Sequence, residues 1–279
     1  MRKGELIISA VSPERYTKFD NRSLKPIYLT EVGKDAGAVV EELDYVKSDN
    51  LKEKVEYIPP NNIGVQLAIV DDCIQKIKEL KITEKFKNNR EGRILKERVY
   101  DNSKLIYDYI AIVQQAIVFG YTSLETFTNL SIPTDYEYSV INNKQVKEIY
   151  DKNAIERWIS LSEKISNILP DIYGTSDIRK KNLWNDFKLF ENYRHEIIHQ
   201  KSIEHTSFYR KYFKNNIYKY LNVPRQIIEF YYSETTKVGK TNPLWPWMGE
   251  DIEVIPTRGG AQKFFSQSEV IGNLYEGKK

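Results

Sequence analysis

The chain has 279 residues and a mass of 32.8 kDa, with 41% hydrophobic and 29% charged residues and a formal net charge of +3. That is long enough for one substantial core plus an appendage, and too apolar for wholesale disorder. The mild basicity permits a polyanionic partner but excludes a histone-like polybasic binder, and the single cysteine, Cys73, excludes an internal disulfide framework.

The opening residues lead into a short apolar run that ends by Val11, without the long apolar core or small-residue cleavage site of a secretory signal. Residues 1 to 62 read as an N-terminal extension, with β-favouring runs at Leu6-Ile7-Ile8 and Ile27-Tyr28-Leu29, ending at Pro59-Pro60-Asn61-Asn62. Residues 63 to 100 read as an accessory helix and linker, because Leu67, Val70, Ile74, Ile77 and Leu80 recur every three or four positions. From Asn102 to Leu130 a longer stripe follows through Leu105, Tyr109, Ile112, Ala116, Phe119, Phe127 and Leu130, and Pro133 ends it. Its most apolar part, Tyr109 to Tyr121, is too short to span a bilayer and carries Gln114 and Gln115, so a cytoplasmic protein with no membrane partner is expected.

A third helical pattern, Trp158, Leu161, Ile165 and Ile168, is expected to stop at Pro170, and a fourth to begin after the capping run Thr175-Ser176-Asp177. The last helix spans Ser207 to Tyr232, where Pro224 should kink or split it. Residues 233 to 279 form a C-terminal tail with Trp245-Pro246-Trp247, Gly259-Gly260 and a short strand near Ile252 to Ile255. No phosphate-cradling glycine loop is present, since Gly259-Gly260 lacks the lysine, strand and helix such a loop requires.

All three histidines fall in one string, Arg194-His195-Glu196-Ile197-Ile198-His199-Gln200-Lys201-Ser202-Ile203-Glu204-His205. Carried back along a helix, Leu183, Phe187 and Phe190 form an apolar stripe that Arg194 joins, while Lys188, Asn192, His195 and His199 line another face. An arginine on a core-facing stripe needs a carboxylate or a ligand phosphate, because an unpaired buried charge is costly.

Arg194-His195-Glu196-Ile197-Ile198-His199 resembles the motif of the HEPN (higher eukaryotes and prokaryotes nucleotide-binding) superfamily: an arginine, four to six residues, then a histidine. The earlier string Ala116-Ile117-Val118-Phe119-Gly120-Tyr121-Thr122-Ser123-Leu124-Glu125-Thr126-Phe127 is similar to that superfamily's first core helix. The resemblance covers residues 101 to 232. It implies an up-and-down helical bundle that forms a homodimer with the two motifs facing each other, and it says nothing of the irregular or partly β N-terminal extension or the C-terminal tail; the fold expected for the whole chain is mainly α. The resemblance also implies metal-independent RNA cleavage with no cofactor.

On that resemblance Arg194 holds the phosphate, His199 moves the proton and His195 assists, with Glu125 orienting Arg194 and Glu196 and Asn192 in support. The residue types suit this chemistry, since imidazole transfers protons near neutral pH and guanidinium binds phosphate with a planar fork. Five helical steps of ~100° set Arg194 and His199 ~140° apart, which favours a composite site built by two helices. Lys180, Lys201, Arg210 and Lys211 are expected to contact RNA, although the aromatics Phe208, Tyr212 and Phe213 around two of them equally suit helix packing. The resemblance further implies a prokaryotic toxin or antiphage defence component with a regulatory or antitoxin protein. Lys201 stands where toxins silenced by adenylylation carry tyrosine, which argues against a nucleotidyltransferase antitoxin.

Two other readings stay open. His195-Glu196-Ile197-Ile198-His199 matches the zinc-peptidase pattern, with His205 ten residues after His195 as a third ligand and Met248 beneath the metal. Ser202 and Lys201 depart from that pattern, so no metal site is expected. The third reading is a non-catalytic nucleotide-binding or scaffold module.

Overall fold

The computed structural model describes residues 5–11, 20–23, 27–30, 37–47, 50, 53–57, 59–87, 95–141, 143–199, 207–214, 216–237, 242, 244–248 and 254–260. The fold is mainly α and divides into two compact units: Met1–Val65, Leu130–Glu156 and Thr241–Lys279 make the first, Gln66–Asn129 and Arg157–Lys240 the second. No helix among the described residues is long and apolar enough to cross a membrane.

In the first unit, strands β1 (Glu5–Val11), β2 (Ile27–Thr30), β3 (Gly37–Val46), β4 (Val55–Tyr57) and β7 (Val254–Gly260) form one sheet. Its order is β2-β3-β1-β7, with β4 also pairing β3. β1 runs antiparallel to both neighbours, Ile7 facing Glu41 of β3 and Arg258 of β7 in the ladder. The two β-favouring runs are therefore strands, as their branched residues suggest. The longest strand, β3, falls in a segment read as irregular, because its Glu41-Glu42 and Asp44 break the apolar run. The C-terminal strand starts two residues later than expected and includes Gly259-Gly260.

The remainder of this unit is built around helix ends. Helix α1 (Asn62–Leu80) starts five residues before Leu67, the first residue of its apolar stripe. Asn61 caps it, its Oδ1 accepting from the amides of Ile63 at 3.0 Å and Gly64 at 3.2 Å, while its Nδ2 donates to Leu244 O at 3.0 Å. A β-carbon at Gly64 would lie 2.6 Å from Asn21 O, so only glycine admits the turn at 20–23 so close. An unanticipated hairpin, β5 (Tyr138–Ile141) with β6 (Lys147–Tyr150), precedes α4 (Lys152–Trp158), and Trp245 is buried with its Nε1 donating to Ser131 Oγ at 2.7 Å.

The second unit is helical: α1 from Gln66, α2 (Ile82–Lys87), α3 (Leu95–Ser131) as far as Asn129, α5 (Leu161–Glu163), α6 (Leu169–Tyr173), α7 (Asn182–Ile198), α8 (Ile217–Leu221) and α9 (Val223–Lys237). The buried line of α3 runs Tyr109, Val113, Ala116, Ile117, Gly120, Leu124 and Phe127, so Ile112 and Phe119 lie at its margin instead of its centre. Tyr121 meets Phe190 of α7, ring centroids 6.5 Å apart, and Phe127 meets Tyr231 of α9 at 5.8 Å, while Phe187 of α7 and Ile227 and Ile228 of α9 are also buried.

Three expected helix boundaries are corrected. Pro170 does not stop the third helix: a π-helical turn, Lys164–Ile168, joins α5 to α6, and the stretch ends at Gly174, whose φ of 68° suits glycine. Trp158, placed on that stripe, is on α4 and 68% exposed. The capping residue Asp177 opens a short 3₁₀ turn, Ile178–Lys180, before α7 begins at Asn182. The last helix is split as Pro224 demands, and further broken into a 3₁₀ segment Phe208–Phe213, α8 and α9, with Pro224 in the first turn of α9 where its missing amide costs nothing.

Candidate functional site

α7 carries the arginine and histidines on two different faces. Phe187, Phe190 and Tyr193 are buried, Arg194 is half-buried beside them, and Lys188, Asn192, His195 and His199 are exposed. His199 is the residue that closes the helix, with φ −119° and ψ 44°, its amide donating to His195 O at 2.9 Å. That brings the two imidazoles together in the open, ring centroids 4.8 Å apart.

Arg194 turns the other way, toward α3. Its guanidinium carbon lies 4.8 Å from the centre of the Tyr121 ring, and among the described residues no carboxylate is within ion-pairing distance of it. Glu125, expected to orient Arg194, is one turn beyond Tyr121 and acts electrostatically on the Tyr121 phenol. Glu191, three residues before Arg194, is otherwise engaged: it accepts from Ser162 Oγ at 2.9 and 3.0 Å, from Lys188 Nζ, and from the Tyr121 hydroxyl at a long 3.5 Å. Lys188 Nζ also donates to Ser162 Oγ at 2.8 Å, which closes the network. Burial pushes the Tyr121 phenol far above its ordinary value, Glu191 and Glu125 add to the rise and Arg194 opposes it, so the ring stays neutral.

Glu196 is held by Asn192 and Lys211. Its Oε1 accepts from Asn192 Nδ2 at 3.0 Å and from Lys211 Nζ, tying the 3₁₀ segment Phe208–Phe213 to α7, while its Oε2 is buried with no hydrogen-bond partner among the described residues. The same segment is held to α3 by Tyr109, whose hydroxyl donates to Tyr212 O at 2.7 Å and whose ring stacks on Phe213 with centroids 4.8 Å apart.

Of the residues expected to contact RNA, Lys180 and Arg210 are exposed, Lys211 is paired with Glu196, and Lys201 lies outside the described residues. So does His205, the third ligand of the zinc reading. Among the described residues no group of three or more His, Cys, Asp or Glu side chains could hold a metal ion. The sequence gives Tyr121, Glu191 and Ser162 no role, and it places Lys188 only on the polar face with Asn192, His195 and His199, although Lys188 and Glu191 are spaced as an i, i+3 pair on the motif helix. Compared with protein-family models, curated proteins and solved structures, the chain matches none.

Proposed function

We propose that this chain is a metal-independent endoribonuclease of the HEPN kind. The observation that supports it best is the open His195–His199 pair, centroids 4.8 Å apart, at the end of a helix whose Arg194 has no carboxylate partner among the described residues. In this reading His199 takes the proton from a ribose 2′-hydroxyl and that oxygen attacks phosphorus. The bond to the 5′-oxygen breaks, and an imidazolium, His195 assisting, returns a proton to the leaving oxygen. The products are a cyclic 2′,3′-phosphate and a 5′-hydroxyl, with no metal or cofactor consumed. Arg194 offsets the negative charge that builds on the phosphoryl oxygens.

Because Arg194 faces α3 while the imidazoles face outward, a second copy supplying the complementary group accounts for a composite site. The biological setting that goes with this reading is a toxin or antiphage defence component restrained by a partner protein.

The experiment is incubation of the purified protein with mixed cellular RNA in excess EDTA, beside Arg194→Ala and His199→Ala. Wild-type fragments ending in cyclic phosphate are expected, with cleavage reduced by roughly 10²-fold or more in each variant. Intact RNA with the wild type, or full cleavage by His199→Ala, would overturn the reading.

A further inference from the structure

We propose that Tyr121 is the positioning residue for Arg194, an aromatic platform that holds the guanidinium by its face and leaves its N–H fork for a phosphodiester of bound RNA. The inference rests on the reading of Arg194 as the phosphate ligand.

The geometry favours a platform over an ion pair. A carboxylate would occupy the same planar fork that a phosphate needs and would neutralise the charge that attracts it, whereas an aromatic ring touches only the guanidinium face. Tyr121 is 8% exposed and braced by Phe190, ring centroids 6.5 Å apart, and by the hydroxyl contact to Glu191. Such a ring cannot easily follow Arg194 if the side chain swings, so the guanidinium is held in one place before any ligand arrives.

The network behind the ring explains why Arg194 is not captured. Glu191 stands three residues before Arg194 on the same helix, a spacing at which acid and base normally pair. Lys188 and Ser162 take that carboxylate instead, both oxygens being engaged by the Ser162 hydroxyl and one by the ammonium. Lys188 thus serves Arg194 indirectly, by occupying its competitor.

The test is fluorescence anisotropy with a labelled, mixed-sequence 2′-O-methyl oligoribonucleotide, which has phosphodiesters but no attacking hydroxyl. Tyr121→Phe keeps the ring and should bind within about twofold of wild type, while Tyr121→Leu and Arg194→Ala should each weaken binding roughly tenfold, with the double variant no weaker than Arg194→Ala. If Tyr121→Leu does not fold by circular dichroism, Lys188→Ala serves at a surface position. It should weaken binding several-fold by freeing Glu191 to pair with Arg194, and adding Glu191→Gln should restore it.

Wild-type affinity in Tyr121→Leu, no rescue by Glu191→Gln, or no binding of the probe by the wild type would overturn the assignment. Binding that follows this pattern without any cleavage of natural RNA would sink the ribonuclease and leave the platform standing.

Discussion

A single missing amide shapes the core around Tyr231 of α9. Pro170 has no N–H, and the Leu169 amide donates to Lys164 O, five residues back, so the Ile165 carbonyl has no helical donor from either residue. The Tyr231 hydroxyl of α9 supplies it. Tyr231 is fully buried, and burial drives its phenol far above the ordinary value, which keeps it a donor. Tyr231→Phe keeps the ring and orphans that carbonyl, so it should cost about 1–3 kcal/mol. Thermal denaturation should show a drop of several degrees, at about 2–4 °C per kcal/mol for a chain of this size. Pro170→Ala in the same background should recover part of the loss, and an unchanged melting temperature in Tyr231→Phe would contradict the account. Nothing in the sequence at Pro170 distinguishes this outcome from a helix stop. Both follow from the missing amide, and only a partner on a distant helix chooses between them.

At the scale of elements, the crossing of α3, α7 and α9 depends on Gly120. A β-carbon there would lie 2.9 Å from Pro224 Cγ and 3.2 Å from Phe190 Cζ, a rigid ring on either side. Replacing glycine by alanine inside a helix normally gains ~1 kcal/mol in propensity, whereas overpacking costs about 1–3 kcal/mol. Gly120→Ala should therefore be destabilising, read as a lower denaturation midpoint in urea at unchanged slope, and Gly120→Val more so. A stabilised Gly120→Ala would show that the helices can part at no cost. The helices themselves were legible because apolar residues recur at their period, and α1, α3 and α7 are all seen in the sequence. Their ends were less so: Asn61 caps α1 six residues ahead of Leu67, where the stripe begins, and Asp177 caps a 3₁₀ turn, because capping chemistry is the same for both kinds of turn.

At the scale of the molecule, the first unit gathers three separate stretches of chain around Trp245. Its indole is 1% exposed and hydrogen-bonded to Ser131 at the end of α3, and neighbouring Leu244 accepts from the Asn61 cap of α1. Trp245→Ala should cost about 3–5 kcal/mol and Ser131→Ala about 1 kcal/mol. Near-ultraviolet circular dichroism through a thermal ramp checks both, and equal, small effects would mean that the tail does not hold this unit together. Sequence alone determined that the chain is mainly α, that a basic and imidazole-rich helix follows a long apolar one, and that His195 and His199 share one polar face. These are properties of local periodicity and spacing, which travel with the residues. Tertiary structure alone decided that β7 pairs with β1 from the opposite end of the chain, that Glu191 belongs to Lys188 and Ser162, and that Arg194 rests on Tyr121. Tyr121 and Glu125 are one turn apart on α3, so period cannot choose between them; the choice lies in how two helices meet.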